Sequence, residues 1–265
     1  PAAAAARTDA GGLERLLLGA AFGTAVASFL YEIDWIRMLA LVLGSATHSF
    51  ELMLSAFILG LALGAWWIRA RADRVRNPLR TLGLVQWTMG LLALATLPLY
   101  IYSFDWIGVL VTTFTRSDSG YTGFTIAKYA LCLLVMFPAT FCAGMTLPLI
   151  TRTLLASGSG ERALGAVYAW NTLGSIIGVV VGGLWLLPMI GLKPMLMVGA
   201  GLDMVIGLML LARAERPSLR RALERRLALG ETEGRADGAH STERRVVVLD
   251  DRPADGRLRV DERLL

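Results

Sequence analysis

The chain has 265 residues, 55% of them apolar, and a formal net charge of +5. Only 18% of positions are charged, and residues 214–265 hold 23 of the 47 charged side chains. A hydrophobic body with a short, arginine-rich tail excludes a soluble enzyme of ordinary composition. Two cysteines, Cys132 and Cys142, lie ten apart in an apolar stretch, which excludes a disulfide-stapled module and fits no compact metal motif. The arginines fall in loops beside apolar runs, so the basicity does not point to nucleic acid.

Residues 1–12 (PAAAAARTDAGG) read as a disordered lead-in. The chain opens on Pro1 rather than Met, so the true N-terminus is expected upstream. The next apolar run is too long for a secretory signal and carries no cleavage site. Six runs are then long enough to cross a bilayer, which takes about 20 residues. They cover residues 13–44, 50–68, 81–104, 121–150, 163–188 and 192–212. Run four contains Pro138 and Pro148, so a kink or break is expected there. No alternation of the barrel kind is visible, and in lipid the runs must therefore be helices. The expected fold is an all-α polytopic membrane protein with six transmembrane helices.

The basic residues set the expected topology. Fifteen arginines flank the runs on one side, including Arg69, Arg71, Arg74, Arg76 and Arg80 between runs two and three. The alternate loops hold only Arg116 and Lys193. This bias places both termini in the cytoplasm. Loop 105–120 is expected outside, its first half an interfacial amphipathic segment. The domain of residues 13–213 is followed by a basic amphipathic linker, 214–240, with Leu219, Leu223 and Leu227 spaced between arginines. Residues 241–265 close the chain: RRVVVLD is β-prone, RPADG is turn chemistry, and RLRVDERL alternates at the strand period. A β-hairpin-like tail is expected.

Small residues recur every four positions at Gly174, Gly178 and Gly182, at Ala56, Gly60 and Gly64, and at Gly19, Gly23 and Ala27. Such faces let helix backbones approach closely, either within one bundle or across a homodimer. Trp66–Trp67 and Tyr100–Tyr102 fall near run ends and read as interface anchors.

Several stretches resemble one family. YEIDWIRMLALVLGSATHSFELMLSAFILGLALGAWWIRARAD (31–73) is similar to the first two helices of bacterial membrane-bound, major-facilitator-like spermidine synthase-like proteins. FPATFCAGMTLPLITR (137–152) and LGAVYAWNTLGSIIGVVVGGLWLLPMIGL (164–192) resemble the same family, and the tail resembles the opening hairpin of soluble spermidine synthases. The resemblance implies a multi-pass protein of the bacterial inner membrane. It implies a parent that transfers an aminopropyl group from decarboxylated S-adenosylmethionine to an amine, or runs a related methyltransferase-type reaction. The membrane part would then anchor the enzyme, deliver substrate or export product. The chain carries no Gly-rich nucleoside fingerprint and no catalytic acidic pair, so no catalytic, cofactor-binding or metal-ligating residue can be assigned in it. A catalytic domain, and decarboxylated S-adenosylmethionine as its co-substrate, is expected only beyond Leu265.

Charges inside membrane helices are costly, which makes them functional candidates. Glu32, Asp34 and Arg37 fall in the outer half of run one, Glu51 opens run two beside His48, and Lys128 lies two turns into run four. They are expected to meet as one outward-facing cluster, with Asp34 and Arg37 paired along the helix. The cluster suits a cationic ligand such as a polyamine, or a proton relay; equally, it suits a structural salt-bridge network. Asp203 lies midway along run six, out of snorkelling range, with Asn171 or Thr172 of run five as its expected partner. Three functions stay open: the membrane domain of a spermidine synthase-like protein, half of a polyamine or cation transporter, or a non-catalytic subunit packed against other membrane subunits.

Overall fold

The computed structural model describes residues 2–44, 47–71, 74–113, 118–157 and 161–215. Every described element is helical. The helices are α1 (Ala2–Leu43), α2 (Thr47–Arg71), α3 (Pro78–Thr113), α4 (Asp118–Ala156), α5 (Glu161–Val180, prolonged by a π-helical turn, Val181–Leu186, and a last turn, Leu187–Ile190) and α6 (Leu192–Glu215). Six helices are long and apolar enough to cross a membrane. The expected β-hairpin 241–265, and the linker 214–240 from residue 216 on, lie outside the described residues.

Local chemistry sets the helix ends. α1 stops at Gly44, whose φ of +88° is the left-handed conformation that a side chain disfavours. Asn77 caps α3: its Oδ1 accepts from the Arg80 N–H at 3.2 Å, its carbonyl accepts from the Thr81 N–H at 3.1 Å, and Pro78 follows. Gly191, with φ +79°, separates α5 from α6 while its N–H still donates to the Leu187 carbonyl at 3.0 Å. A kink or break was expected at Pro138 and Pro148; α4 runs through both without a break. Thr140 and Thr151 donate back to the carbonyls of Met136 and Leu147, keeping polar groups satisfied within the helix beside each proline. The irregular turn falls instead in α5, at the Gly182–Gly183 pair.

α3 also departs from expectation. Residues 105–113, expected as the first part of an outer loop, continue the helix. At 36 residues α3 is about 54 Å long, well beyond a hydrocarbon core of about 30 Å. α1 likewise takes in residues 2–12 of the expected lead-in, and the apolar crossing starts at Gly11.

α1 is the hub. It contacts α2, α3, α4 and α5, and α6 reaches it through Gly199 against Tyr31 and Ile206 against Gly23. Tyr31 and Trp35 are the largest fully buried side chains. α5 stands at the periphery, packed mainly on α1. Its outer face exposes Ile176, Leu184, Trp185 and Met189, as expected of a surface that meets lipid.

The glycine faces position these contacts. On α2, a side chain at Gly60 would collide with Thr140, and one at Gly64 with the Phe141 carbonyl. Gly144 of α4 meets the Leu61 carbonyl in the same way. On α5, Gly174 abuts the Phe22 carbonyl of α1, Gly178 would place a Cβ 2.9 Å from the Val26 carbonyl, and Gly182 faces the Leu30 side chain. Backbones come together where side chains are missing, which is how helices associate in lipid. Gly19 has nothing within 4 Å of its missing Cβ and serves no such contact.

Candidate functional site

The centre of the bundle holds a connected polar core built from α1, α3 and α6. The Tyr31 hydroxyl donates to Asp203 Oδ2 at 2.7 Å, and Gln86 Nε2 donates to Asp203 Oδ1 at 3.0 Å. Thr24 Oγ1 donates in turn to Gln86 Oε1 at 3.3 Å. Each donation points toward the carboxylate, and neither oxygen of Asp203 is left over. Asp203, Gln86, Tyr31 and Thr24 are all at most 3% exposed. Two close approaches hold the ring: a Cβ at Gly199 would sit 2.9 Å from Tyr31 Cε1, and one at Gly90 2.7 Å from the Ala200 carbonyl.

The core extends along α1. Tyr31 stacks on Trp35, with ring centroids 5.4 Å apart and planes at 25°. Trp35 Nε1 donates to Thr96 Oγ1 at 3.1 Å, and Thr96 passes its own proton to the Ala93 carbonyl at 2.6 Å. In hydrocarbon an unpaired polar group costs several kcal/mol, so the Tyr31–Asp203, Gln86–Asp203 and Trp35–Thr96 bonds tie α1, α3 and α6 to one another.

This arrangement corrects the expected partner of Asp203. Neither Asn171 nor Thr172 donates to it. α5 packs on the face of α1 that carries Phe22 and Val26, whereas α6 packs where Gly23, Ala27 and Tyr31 lie. Asn171 is half-buried, and its carbonyl accepts from Ser175 within α5 at 3.0 Å. The true partners, Tyr31, Gln86 and Thr24, were not singled out from sequence. Two signals were available. Tyr31 opens the stretch 31–73 quoted above, and Gln86 is the one side-chain amide in run three.

The expected outer cluster does not assemble as a single group. Asp34 is fully buried, and both of its carboxylate oxygens lack a hydrogen-bond partner. Arg37, its expected mate, is exposed, and Glu32 is half-buried. Lys128 donates instead to the Leu43 carbonyl at 3.0 Å and lies 4.8 Å over the Phe124 ring. That contact satisfies a carbonyl in the last turn of α1 and sets a cation at the negative end of its dipole. Glu51 is exposed in the second turn of α2. Among the described residues no group of His, Cys, Asp and Glu side chains could hold a metal ion.

No family model, no curated protein and no solved structure matches this chain. Tyr31 and Trp35, both in the stretch YEIDWIRM, lie in the buried polar core.

Proposed function

We propose that this chain is the membrane domain of a bacterial spermidine synthase-like protein and serves as its inner-membrane anchor. The observation that carries the anchoring role is the closed state of the central carboxylate. Both oxygens of Asp203 are taken by neutral donors on two other helices, with no exposed surface through which a ligand could reach them. A translocation path would need a midplane group open to water, and in this structure Asp203 is closed off from it. The stretches that carry the resemblance also carry the packing: Tyr31 and Trp35 in 31–73, and Gly174 and Gly178 in 164–192. The parent enzyme would use decarboxylated S-adenosylmethionine and an amine in the cytoplasm.

The test is an aminopropyl-transfer assay on the protein isolated from native membranes, with decarboxylated S-adenosylmethionine and putrescine. Transfer that copurifies with this chain supports the reading. Folded protein without transfer, alone or with copurifying partners, would overturn it. The orientation is tested separately by cysteine labelling. A reagent outside the cell should reach position 112, near the connection from α3 to α4, and should not reach position 74. The opposite pattern would place the arginine-rich side outside.

A second reading, transport of a polyamine or another cation, is favoured by one observation. Asp34 is a buried carboxylate with no hydrogen-bond donor, and such a group is costly to keep in a membrane helix unless it is used. Uptake of labelled spermidine into proteoliposomes, lost in Asp34→Asn with unchanged folded yield, would favour transport over anchoring.

A further inference from the structure

The α2–α4 pair opens a cavity at the end of the bundle that carries most of the arginines. Gly60, Gly64 and Gly144 bring the two helices into backbone contact. Beyond that contact Ala65, Ala143 and Gly144 are too small to fill the space between them, leaving about 530 Å³. The walls are apolar, with Leu61, Ile68 and Leu147 along them, and the polar groups are Arg69, Arg152, Thr151 and Tyr168. Arg69 is in the last turn of α2, Arg152 near the end of α4 and Tyr168 in the second turn of α5. A second hollow of about 530 Å³ shares Ala65 and Arg69 with the first and is completed by Ala62, Trp66 and Ala70.

We infer that this cleft binds an anionic phospholipid, with its phosphate at Arg69 and Arg152 and an acyl chain along the Leu61, Ala65 and Leu147 wall. Charge complementarity selects the headgroup: two guanidiniums at one opening suit a phosphate diester with net negative charge better than a zwitterion, whose own cation offsets its phosphate. Depth selects a lipid over a soluble anion. The charged end sits where α2 and α4 leave the hydrocarbon, and the apolar walls continue inward from it, so only an amphiphile satisfies both parts. Thr151 does not compete for the phosphate, because its hydroxyl already donates to the carbonyls of Leu147 and Pro148. Basic pockets between membrane helices hold acidic headgroups by the same physics. Lipid binding here requires only that the chain cross a bilayer, and it is independent of the anchoring and transport readings.

The test uses the whole purified protein in detergent and native mass spectrometry, with phosphatidylglycerol and phosphatidylcholine of matched acyl chains in competition. Phosphatidylglycerol should be retained about fivefold or more over phosphatidylcholine, the preference expected when a basic site meets a headgroup whose phosphate no cation offsets. Arg69→Gln should remove most of that preference while leaving phosphatidylcholine retention unchanged. Ala65→Leu, which keeps both guanidiniums but fills the hollow, should reduce retention of both lipids. Equal retention of the two lipids by the unaltered protein, a measurement that no folding defect in a variant can obscure, would overturn the proposal. So would displacement of phosphatidylglycerol by inorganic phosphate at equal concentration, which would mark an anion site without a lipid component.

Discussion

The bundle buries two aspartates completely, and it treats them in opposite ways. Asp203 lies where α1, α3 and α6 meet and receives hydrogen bonds at both oxygens, from Tyr31 and Gln86. Asp34 lies one turn from Tyr31 on α1 and receives none. The same side chain is thus a structural tie at one level of the bundle and an unsatisfied group at the next. A membrane protein gains little from bringing apolar surfaces together, so its stability depends on close packing and on satisfied polar groups. By that rule the Asp203 region should hold the fold together, while the Asp34 region should weaken it.

The largest expected effect follows from removing the tie. Asp203→Ala strands the Tyr31 hydroxyl and the Gln86 amide in an apolar setting, and each buried unsatisfied donor costs about 1–3 kcal/mol. A loss of roughly 2–4 kcal/mol is expected, measured by steric-trap or denaturant unfolding in bicelles. Asp203→Asn should be much milder. The Asn carbonyl can still accept from Gln86, and the Tyr31 hydroxyl can accept from the new amide. Equal losses for the two variants would mean that the carboxylate's charge, not its hydrogen bonds, matters.

The converse holds at Asp34. Asp34→Leu removes a buried polar group with no partner and should stabilise the protein by about 1–3 kcal/mol. A destabilised Asp34→Leu protein would reveal a partner for Asp34 and dissolve the contrast between the two sites. A stabilised protein that loses spermidine uptake would place Asp34 among residues kept for use rather than for stability.

Smaller still is Tyr31→Phe. It deletes one of the two bonds to Asp203 and keeps the stack on Trp35. Interhelical hydrogen bonds in membranes average about 0.6 kcal/mol, so a loss near 1 kcal/mol is expected by the same unfolding measurement. Gln86 would still hold Oδ1. A loss as large as that of Asp203→Ala would mean that the network acts as one unit.

These contrasts mark the limit of what the sequence could reveal. The six spans were legible because a run of about twenty apolar residues matches the thickness of a bilayer and exceeds what most soluble helices bury. The faces of Gly60, Gly64, Gly174, Gly178 and Gly182 were legible because a spacing of four stays on one side of a helix. Depth was legible too: Asp203 is midway along α6. Which helix that side of α6 would meet was not. Gln86 and Thr24 are 62 residues apart and become partners only once α1 and α3 are packed. The expected pairing of Asp34 with Arg37 breaks down for a related reason. Three residues along a helix turn a side chain by about 60° from its starting face, which allows pairing on an open surface. α1 is surrounded on several sides, and that rotation separates a buried position from an exposed one. The continuation of α3 through residues 105–113 was hidden by the charge at Asp105, which marks the end of an apolar run but not of a helix.

The smallest expected effect tests whether the two regions are connected. Lys128 is the other cation of the cluster expected around Asp34, yet it donates to the Leu43 carbonyl at the end of α1. If capping is its whole role, Lys128→Met costs about 0.5–1 kcal/mol through the lost contact with the helix C-terminus. Combined with Asp34→Asn, its effect should then add to within about 0.5 kcal/mol. Lysine has a long, flexible stem, however, and a state in which the ammonium leaves Leu43 for the aspartate would couple the two sites. In that case Asp34→Asn alone would change the cost of Lys128→Met, because the cation would lose its alternative partner. The double-mutant cycle separates these outcomes directly. Additivity makes Asp34 an isolated carboxylate, set apart from Asp203 by its lack of donors. A coupling of about 1 kcal/mol or more, beyond the range of independent sites, would mean that Asp34 and Lys128 form an ion pair in another conformation.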